Sequence, residues 1–267
     1  MTFGVAGGGR VSASFVTRIP HLADKLGPVA AQTYRLASRI VNSIGAGHAV
    51  PSFAHLDNSP LILICAPCSS VAAIDIALGT AIDCRGKTIL LCEDGADTSH
   101  LSSLRALGAA VGSIQTIPGF NGRRFVAEGD RAAMRQAKAL VRHMGGRLEE
   151  VDTGKMRMYS AALSFGTSLC TPLMDASLQC LLEAGMTKPN AVKIVEALFQ
   201  TSARTYAYAG KNRRSSPHAP SDLAAIKQEI DALSLSKPVL AEHYRQAVAL
   251  AAKLVQSSPA IAAKTHS

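Results

Sequence analysis

Apolar residues in the first half of the chain come in short runs, separated by stretches where they recur at three- and four-residue spacing. That alternation is what βαβ units write into a sequence when they build a parallel sheet covered on both faces. Phe3 to Ala6 predicts a strand, and Val11 to Ile19 a helix interrupted at Pro20, because proline lacks the amide hydrogen and clashes with the preceding turn. Pro28 to Gln32 reads as a second strand, and Tyr34 to Ile44 as a helix ended by Gly45 and Gly47. The continuous run Leu61 to Ala66 has the length and branching of a strand buried on both faces, and Pro67 stops it. Ser69 or Ser70 then caps a helix to about Leu78, Thr88 to Cys92 makes a strand, Ser99 to Leu107 a helix, and Ala110 to Ile114 a further strand. Gln115 to Asp130, rich in glycine and basic residues, is expected to be a loop. A helix from Arg131 to Met144 and a last strand from Arg147 to Val151 follow. The economical answer is a doubly wound parallel sheet over residues 1–152.

From residue 153 to 267 the pattern is helical throughout. Gly154 to Ala184, Lys188 to about Ala209, Ser221 to Leu233 and Ser236 to Val255 are expected helices, with a polar loop from Lys211 to Pro220 and a frayed tail from Ser257. The first of these, about 30 residues and roughly 45 Å long at 1.5 Å per residue, is apolar or small nearly all round between Ala161 and Leu182. A helix of that kind must be enclosed by others, which suits the core of a homodimer.

Composition sharpens this picture. Apolar residues make up 48% of 267, enough for a core in each of two domains, and exclude a disordered or fibrous chain. Charged residues are 18%, below the ordinary share, so surface is expected to be buried between subunits. The net charge of +9 favours anionic partners. Nucleic acid is not expected among them, since aromatics are 4% and no reading module is recognisable. The uncharged run Met158 to Met174 carries Ser, Thr, Pro and Gly and falls short of a membrane span. With no secretory pattern after Met1, the chain is expected in the cytoplasm.

Gly7-Gly8-Gly9-Arg10-Val11-Ser12 follows the first strand and opens the first helix, the context that a dinucleotide fingerprint requires. The first glycine permits the tight turn, Gly9 lets the backbone approach a pyrophosphate, and amides at the helix start face the anion. Ser12 stands where a third glycine is usual. A glycine-rich turn without ligand is the other reading. An NAD site places a carboxylate after the second strand, but no carboxylate occurs between Lys25 and Pro51. Gln32, Thr33 and Arg35 stand there instead, with Ser38 and Arg39 nearby. Arg35 suits a 2′-phosphate, so NADP is favoured over NAD; two arginines on a solvated helix face are the alternative.

Cys65-Ala66-Pro67-Cys68 has the spacing of a redox or half-zinc motif, but Cys65 falls in the buried strand and neither a second cysteine pair nor a paired histidine motif accompanies it. No metal is expected. Ala66 and Pro67, and Asp94 and Gly95 after the next strand, lie at carboxyl ends of strands, where doubly wound sheets bind their ligands. Lys155 and Tyr159, four apart on one helix face, are the candidate proton donors for a hydride transfer. Alternatively Lys155 is solvated and Tyr159 packs with its hydroxyl paired.

The residues Gly7 to Val11, Leu26-Gly27-Pro28-Val29, Leu107 to Ser113, Phe125 to Asp130 and Tyr159-Ser160-Ala161-Ala162 resemble bacterial Rossmann-like oxidoreductase homologues with a C-terminal domain of unknown function, akin to the 6-phosphogluconate dehydrogenase C-terminal-like group. The resemblance covers nearly the whole chain. It implies an NADP-binding Rossmann domain, a helical dimerisation domain, and a small-molecule substrate, anionic by the charge argument, between them. It also places Gln115 and Ser160 at substrate positions. Members usually carry His-Pro where this chain has Gln115-Thr116, His where it has Ser160, Asn where it has Thr167, and Arg-Gly-Asp where it has Pro220-Ser221-Asp222. An NADP-dependent oxidoreductase and a nucleotide-binding sensor without turnover are therefore both compatible with the sequence.

Overall fold

Phe3–Gly7 forms the central strand β1, paired in parallel with β2 (Leu26–Ala31) on one side and β4 (Leu61–Cys65) on the other. The computed structural model describes residues 2–8, 14–18, 21–209 and 223–257. Around β1 the sheet is completed by β3 (His48–Ala49), β5 (Thr88–Leu91), β6 (Ala110–Thr116), β7 (Arg124–Gly129) and β8 (Arg147–Glu150), in the order β3-β2-β1-β4-β5-β6-β7-β8. Every pair is parallel except β6 with β7. This is a Rossmann-type doubly wound sheet, and the chain order reverses at β1 and β4.

The pleat explains why β4 reads as an unbroken apolar run. Leu61, Leu63 and Cys65 face one core with α1 (Ser14–Arg18), α2 (Tyr34–Ile44) and α5 (Arg131–His143), whereas Ile62 and Ile64 face the other with α3 (Cys68–Ala81) and α4 (Ser102–Ala106). Successive side chains on a strand point to opposite faces, so a strand covered twice must be apolar at every position. Each fully buried Leu or Ile contributes about 1.5–3 kcal/mol of transfer free energy. Helix α2 spans the residues expected from its spacing: Thr33 caps it by accepting from the Leu36 amide, and Gly45 ends it at φ +75°.

Two expectations are corrected. The segment Gln115 to Asp130 is not all loop: β6 runs on to Thr116, and β7 returns antiparallel with Gly112 opposite Gly129 and Thr116 opposite Phe125. Positive-φ residues at Gly119, Asn121 and Gly122 make the turn between them. The strand was hidden because Glu128, a charged residue, points into the core. The long helix over Gly154–Ala184 is two helices, α6 (Met156–Gly166) and α7 (Thr171–Glu183). Pro172, in the first turn of α7, has no amide to donate, and its ring would strike the Ser168 carbonyl in a continuous helix.

The chain divides into two compact units, residues 1–166 and 167–267. The second consists of α7, α8 (Lys188–Ala209), α9 (Leu223–Ser236) and α10 (Pro238–Ser257). Ala191, Val195, Ile226 and Ala241 are its buried apolar residues among those described, while Leu173, Val192, Leu198 and Leu235 are exposed, the last at 90%. The expected loop Lys211–Pro220, with Asp222, and the tail beyond Ser257 lie outside the described residues. No helix among the described residues is long and apolar enough to cross a membrane.

Candidate active site at the carboxyl edge of the sheet

At the switch between β1 and β4 the backbone is drawn tight. The Gly8 amide donates to the Cys65 carbonyl at 3.2 Å, so the two strands stay paired to their tips. A Cβ at Gly8 would stand 3.1 Å from both Ala66 Cβ and Ile74 Cδ1, and one at Gly7 would stand 2.4 Å from Ile40 Cδ1. A side chain at Gly7 would have to displace the tip of Ile40, and one at Gly8 would crowd Ala66 and Ile74, so glycine at both eases the approach of α2 and α3 to the end of β1. With the Gly8 amide engaged, any amides offered to an anion belong to the residues that follow. Gly9, Arg10, Val11 and Ser12 lie outside the described residues. At the end of β2, Gln32, Thr33, Tyr34 and Arg35 are exposed, and no acidic residue stands in the first turn of α2.

Beyond β4, Ala66 is buried and Pro67 half-buried, and Pro67 is the cap of α3. Beyond β5 the chain turns through Glu93, Asp94 and Gly95, whose φ is +82°, into a short 3-10 turn at Thr98–Leu101. Gln115, at the end of β6, holds this loop from beneath: its Nε2 donates to the carbonyls of Glu93 at 3.0 Å and Ala96 at 3.3 Å. The loop is fixed again by two buried carboxylates. Glu128, fully buried in β7, accepts from the Thr98 amide and hydroxyl with one oxygen (3.1 and 3.2 Å) and from the amides of Gly154 and Met156 with the other (2.7 and 3.2 Å). Asp97 accepts from the amide and hydroxyl of Ser99, and from Arg157 Nε at 2.6 Å. Together these carboxylates bind the start of α6 to the end of β5. A buried carboxylate is tolerated only when its lone pairs are filled in this way.

The result is a polar cluster over the carboxyl ends of β4, β5 and β6. Burial raises the Asp97 carboxyl, but the Ser99 hydrogen bonds and the Arg157 guanidinium outweigh it and hold the group below its ordinary value. Glu93 is raised, by burial first and by the charge of Asp94 second, against the Cys68 amide that donates to it. Tyr159, on α6, is half-buried; its hydroxyl is out of solvent and has no hydrogen-bond partner among the described residues. Burial, and then the charge of Asp94, push this phenol above its ordinary value, so it keeps its proton at neutral pH. Lys155, one turn earlier, is exposed, and its carbonyl accepts the Tyr159 amide at 3.1 Å. Ser160 donates to the Met156 carbonyl of its own helix at 3.1 Å. The structure therefore gathers Ala66, Pro67, Asp94, Gly95, Gln115, Lys155, Tyr159 and Ser160 within one unit. No group of metal-ligating side chains occurs among the described residues.

Sequence reasoning passed over Glu93, Asp97, His100 and Arg157. Asp97 was legible as a cap two residues before Ser99; its pairing with a residue sixty positions later was not. Glu128, expected within the loop Gln115 to Asp130, is a tether between strand, loop and helix. Asp130 does stand before α5, where its carboxylate accepts from the Val111 amide and pairs with Arg105.

Residues 124–251 match the family model for DUF2520, a domain of unknown function. Searching curated proteins finds no match. Among solved structures, an imine reductase from Myxococcus stipitatus in complex with NADP+ aligns at a TM-score of 0.68 and 14% identity, over 97% of this chain and 95% of that one. Protein TM1727 from Thermotoga maritima aligns at 0.66 and 14%, over 95% and 98%. A pyrroline-5-carboxylate reductase from Coxiella burnetii aligns at 0.57 and 13%, over 95% and 99%. At these identities the likeness is one of fold, a Rossmann-type sheet followed by helices.

Proposed function

We propose that this chain is an NADP-dependent oxidoreductase that moves a hydride to or from a small anionic molecule, with Tyr159 as the proton donor. The observation that carries the reading is the Tyr159 hydroxyl, out of solvent and without a hydrogen-bond partner among the described residues, on a helix whose start is tied to the carboxyl edge where doubly wound sheets bind ligands. The shared fold and the NADP+ in the Myxococcus structure support it.

The residues present fit the nucleotide. The exposed Arg35, with no carboxylate in its helical turn, suits a 2′-phosphate. Gly7 and Gly8 would let the turn close up, Gly9, Arg10 and Val11 would hold the pyrophosphate, Gln32, Thr33 and Arg35 the adenosine end, and Ala66, Pro67, Asp94 and Gly95 the edge towards the nicotinamide. When bound, the cofactor supplies or accepts the hydride. The chain supplies the rest. The Tyr159 hydroxyl gives its proton to the substrate heteroatom that gains negative charge, Lys155 adds a cation one helical turn away, and Gln115 keeps the β5 loop in place beneath them. Glu128 and Asp97, through Gly154, Met156 and Arg157, set where Tyr159 stands.

Tyr159→Phe tests the assignment. It is expected to lower kcat by about a hundredfold to ten-thousandfold, the usual size of a lost general acid, with NADPH affinity unchanged; turnover equal to the parent would remove Tyr159 from the mechanism. A second reading, a nucleotide-binding sensor without turnover, draws on the engagement of the Gln115 amide and the Ser160 hydroxyl inside the chain. It predicts NADPH binding with no oxidation of NADPH by any carbonyl or imine substrate. We further propose that the chain forms a homodimer through its helical unit, whose apolar side chains are largely exposed in one copy.

A further inference from the structure

Cys65, Cys84 and Cys92 are buried, Cys170 and Cys180 half-buried, and Cys68 exposed. Cys68 is the first residue of the fourteen-residue helix α3, and its sulfur lies 3.5 Å from His100 Nε2. The other ring nitrogen of His100 faces acceptors only, the Asp97 carbonyl oxygen at 3.1 Å and Asp97 Oδ1 at 3.3 Å. Two acceptors fix the ring hydrogen on Nδ1, which leaves Nε2 as the basic nitrogen opposite the thiol. Asp97 is held in turn, 8% exposed, by Ser99 and Arg157. An exposed thiol, a base within hydrogen-bond reach and a third group that orients the base are the ingredients of an activated sulfur nucleophile.

We infer that Cys68 is a site of reversible thiolation by small disulfides, activated by His100, with Asp97 as the positioning residue. His100 Nε2 takes the proton from the Cys68 sulfur, and the thiolate attacks one sulfur of the incoming disulfide. A new sulfur–sulfur bond forms as the old one breaks, and the departing thiolate recovers the proton from His100. Cys68 is oxidised to a mixed disulfide while half of the small disulfide is reduced to a thiol; no other reactant enters. The chemistry needs no nucleotide. Its consequence rests on the reading above: Cys68 directly follows Pro67, so an adduct there is expected to weaken NADPH binding at least tenfold.

Treating the full chain with glutathione disulfide and mapping adducts by mass spectrometry over time tests this. The expected first adduct is at Cys68, formed at least ten times faster than on the same thiol in the urea-unfolded chain. His100→Gln is expected to slow it at least tenfold with the circular dichroism spectrum unchanged. A first adduct at Cys170 or Cys180, a native rate no faster than the unfolded one, or a parent-like rate in a folded His100→Gln variant would each overturn the proposal. If that variant does not fold, the native-to-unfolded ratio decides. Undiminished NADPH binding by chains thiolated at Cys68 would overturn the overlap with the nucleotide edge, while the rates judge the thiol chemistry separately.

Discussion

Asp97 shows how one side chain can govern several segments. It caps the turn after β5, orients His100, and receives Arg157 from the start of α6. Its lowered carboxyl fixes a sign. A group whose value is depressed by folding stabilises the native state above its unfolded value, about 3.9 for aspartate, and that stabilisation is lost as the pH falls through the folded value. Arg157→Ala removes one source of the depression. The variant is therefore expected to be less stable than the parent at pH 7, by less than about 1 kcal/mol because the guanidinium is largely solvated, with the gap closing below about pH 4. Urea titrations at pH 7 and pH 3.5 read it, and an equal gap at both would contradict the ion pair. At this scale the sequence announced residue types but not partners. Tyr159 stood out as a candidate from its place on a helix face. Its hydroxyl, without a partner among the described residues, like the four hydrogen bonds on Glu128, arises from segments far apart in the chain.

The junction of β6, β7 and α5 is the most constrained of the elements. Gly112 and Gly129 face each other across the antiparallel pair, and Gly129, at φ +147°, would bring a Cβ to 2.5 Å from both Gly112 Cα and the Val111 carbonyl oxygen. Backbone atoms cannot rotate away as a side chain can. Gly129→Ala is expected to cost about 2 kcal/mol or more and to loosen Glu128, one residue before. A shift in the denaturant midpoint measures it, and a change below about 0.5 kcal/mol would contradict the close approach. The elements that sequence periodicity predicted well, α2 and the buried strand β4, are those in which local pattern and tertiary burial agree. β7 was missed because its inward charge is satisfied by amides from elsewhere, and the break after Gly166 because a proline outweighed an apolar pattern that ran straight through it.

For the whole molecule, the low share of charged residues and the sparse core of the helical unit point the same way. A mass near twice 27.9 kDa by analytical ultracentrifugation is expected, and a chain that stays monomeric at tens of micromolar would contradict the homodimer. The doubly wound architecture was readable because its alternating pattern spans the first half of the chain, whereas the geometry of the glycine turn itself lies outside the described residues. We propose that this turn and the adjoining strand ends bind NADP. Thermal unfolding with NADPH, with NADH and without ligand tests that claim most directly, because a ligand selective for the native state stabilises by mass action, by about 2.7 kcal/mol at a hundred times its dissociation constant. A midpoint raised by NADPH well beyond any rise with NADH is the predicted result, and an unmoved midpoint at millimolar NADPH would contradict it.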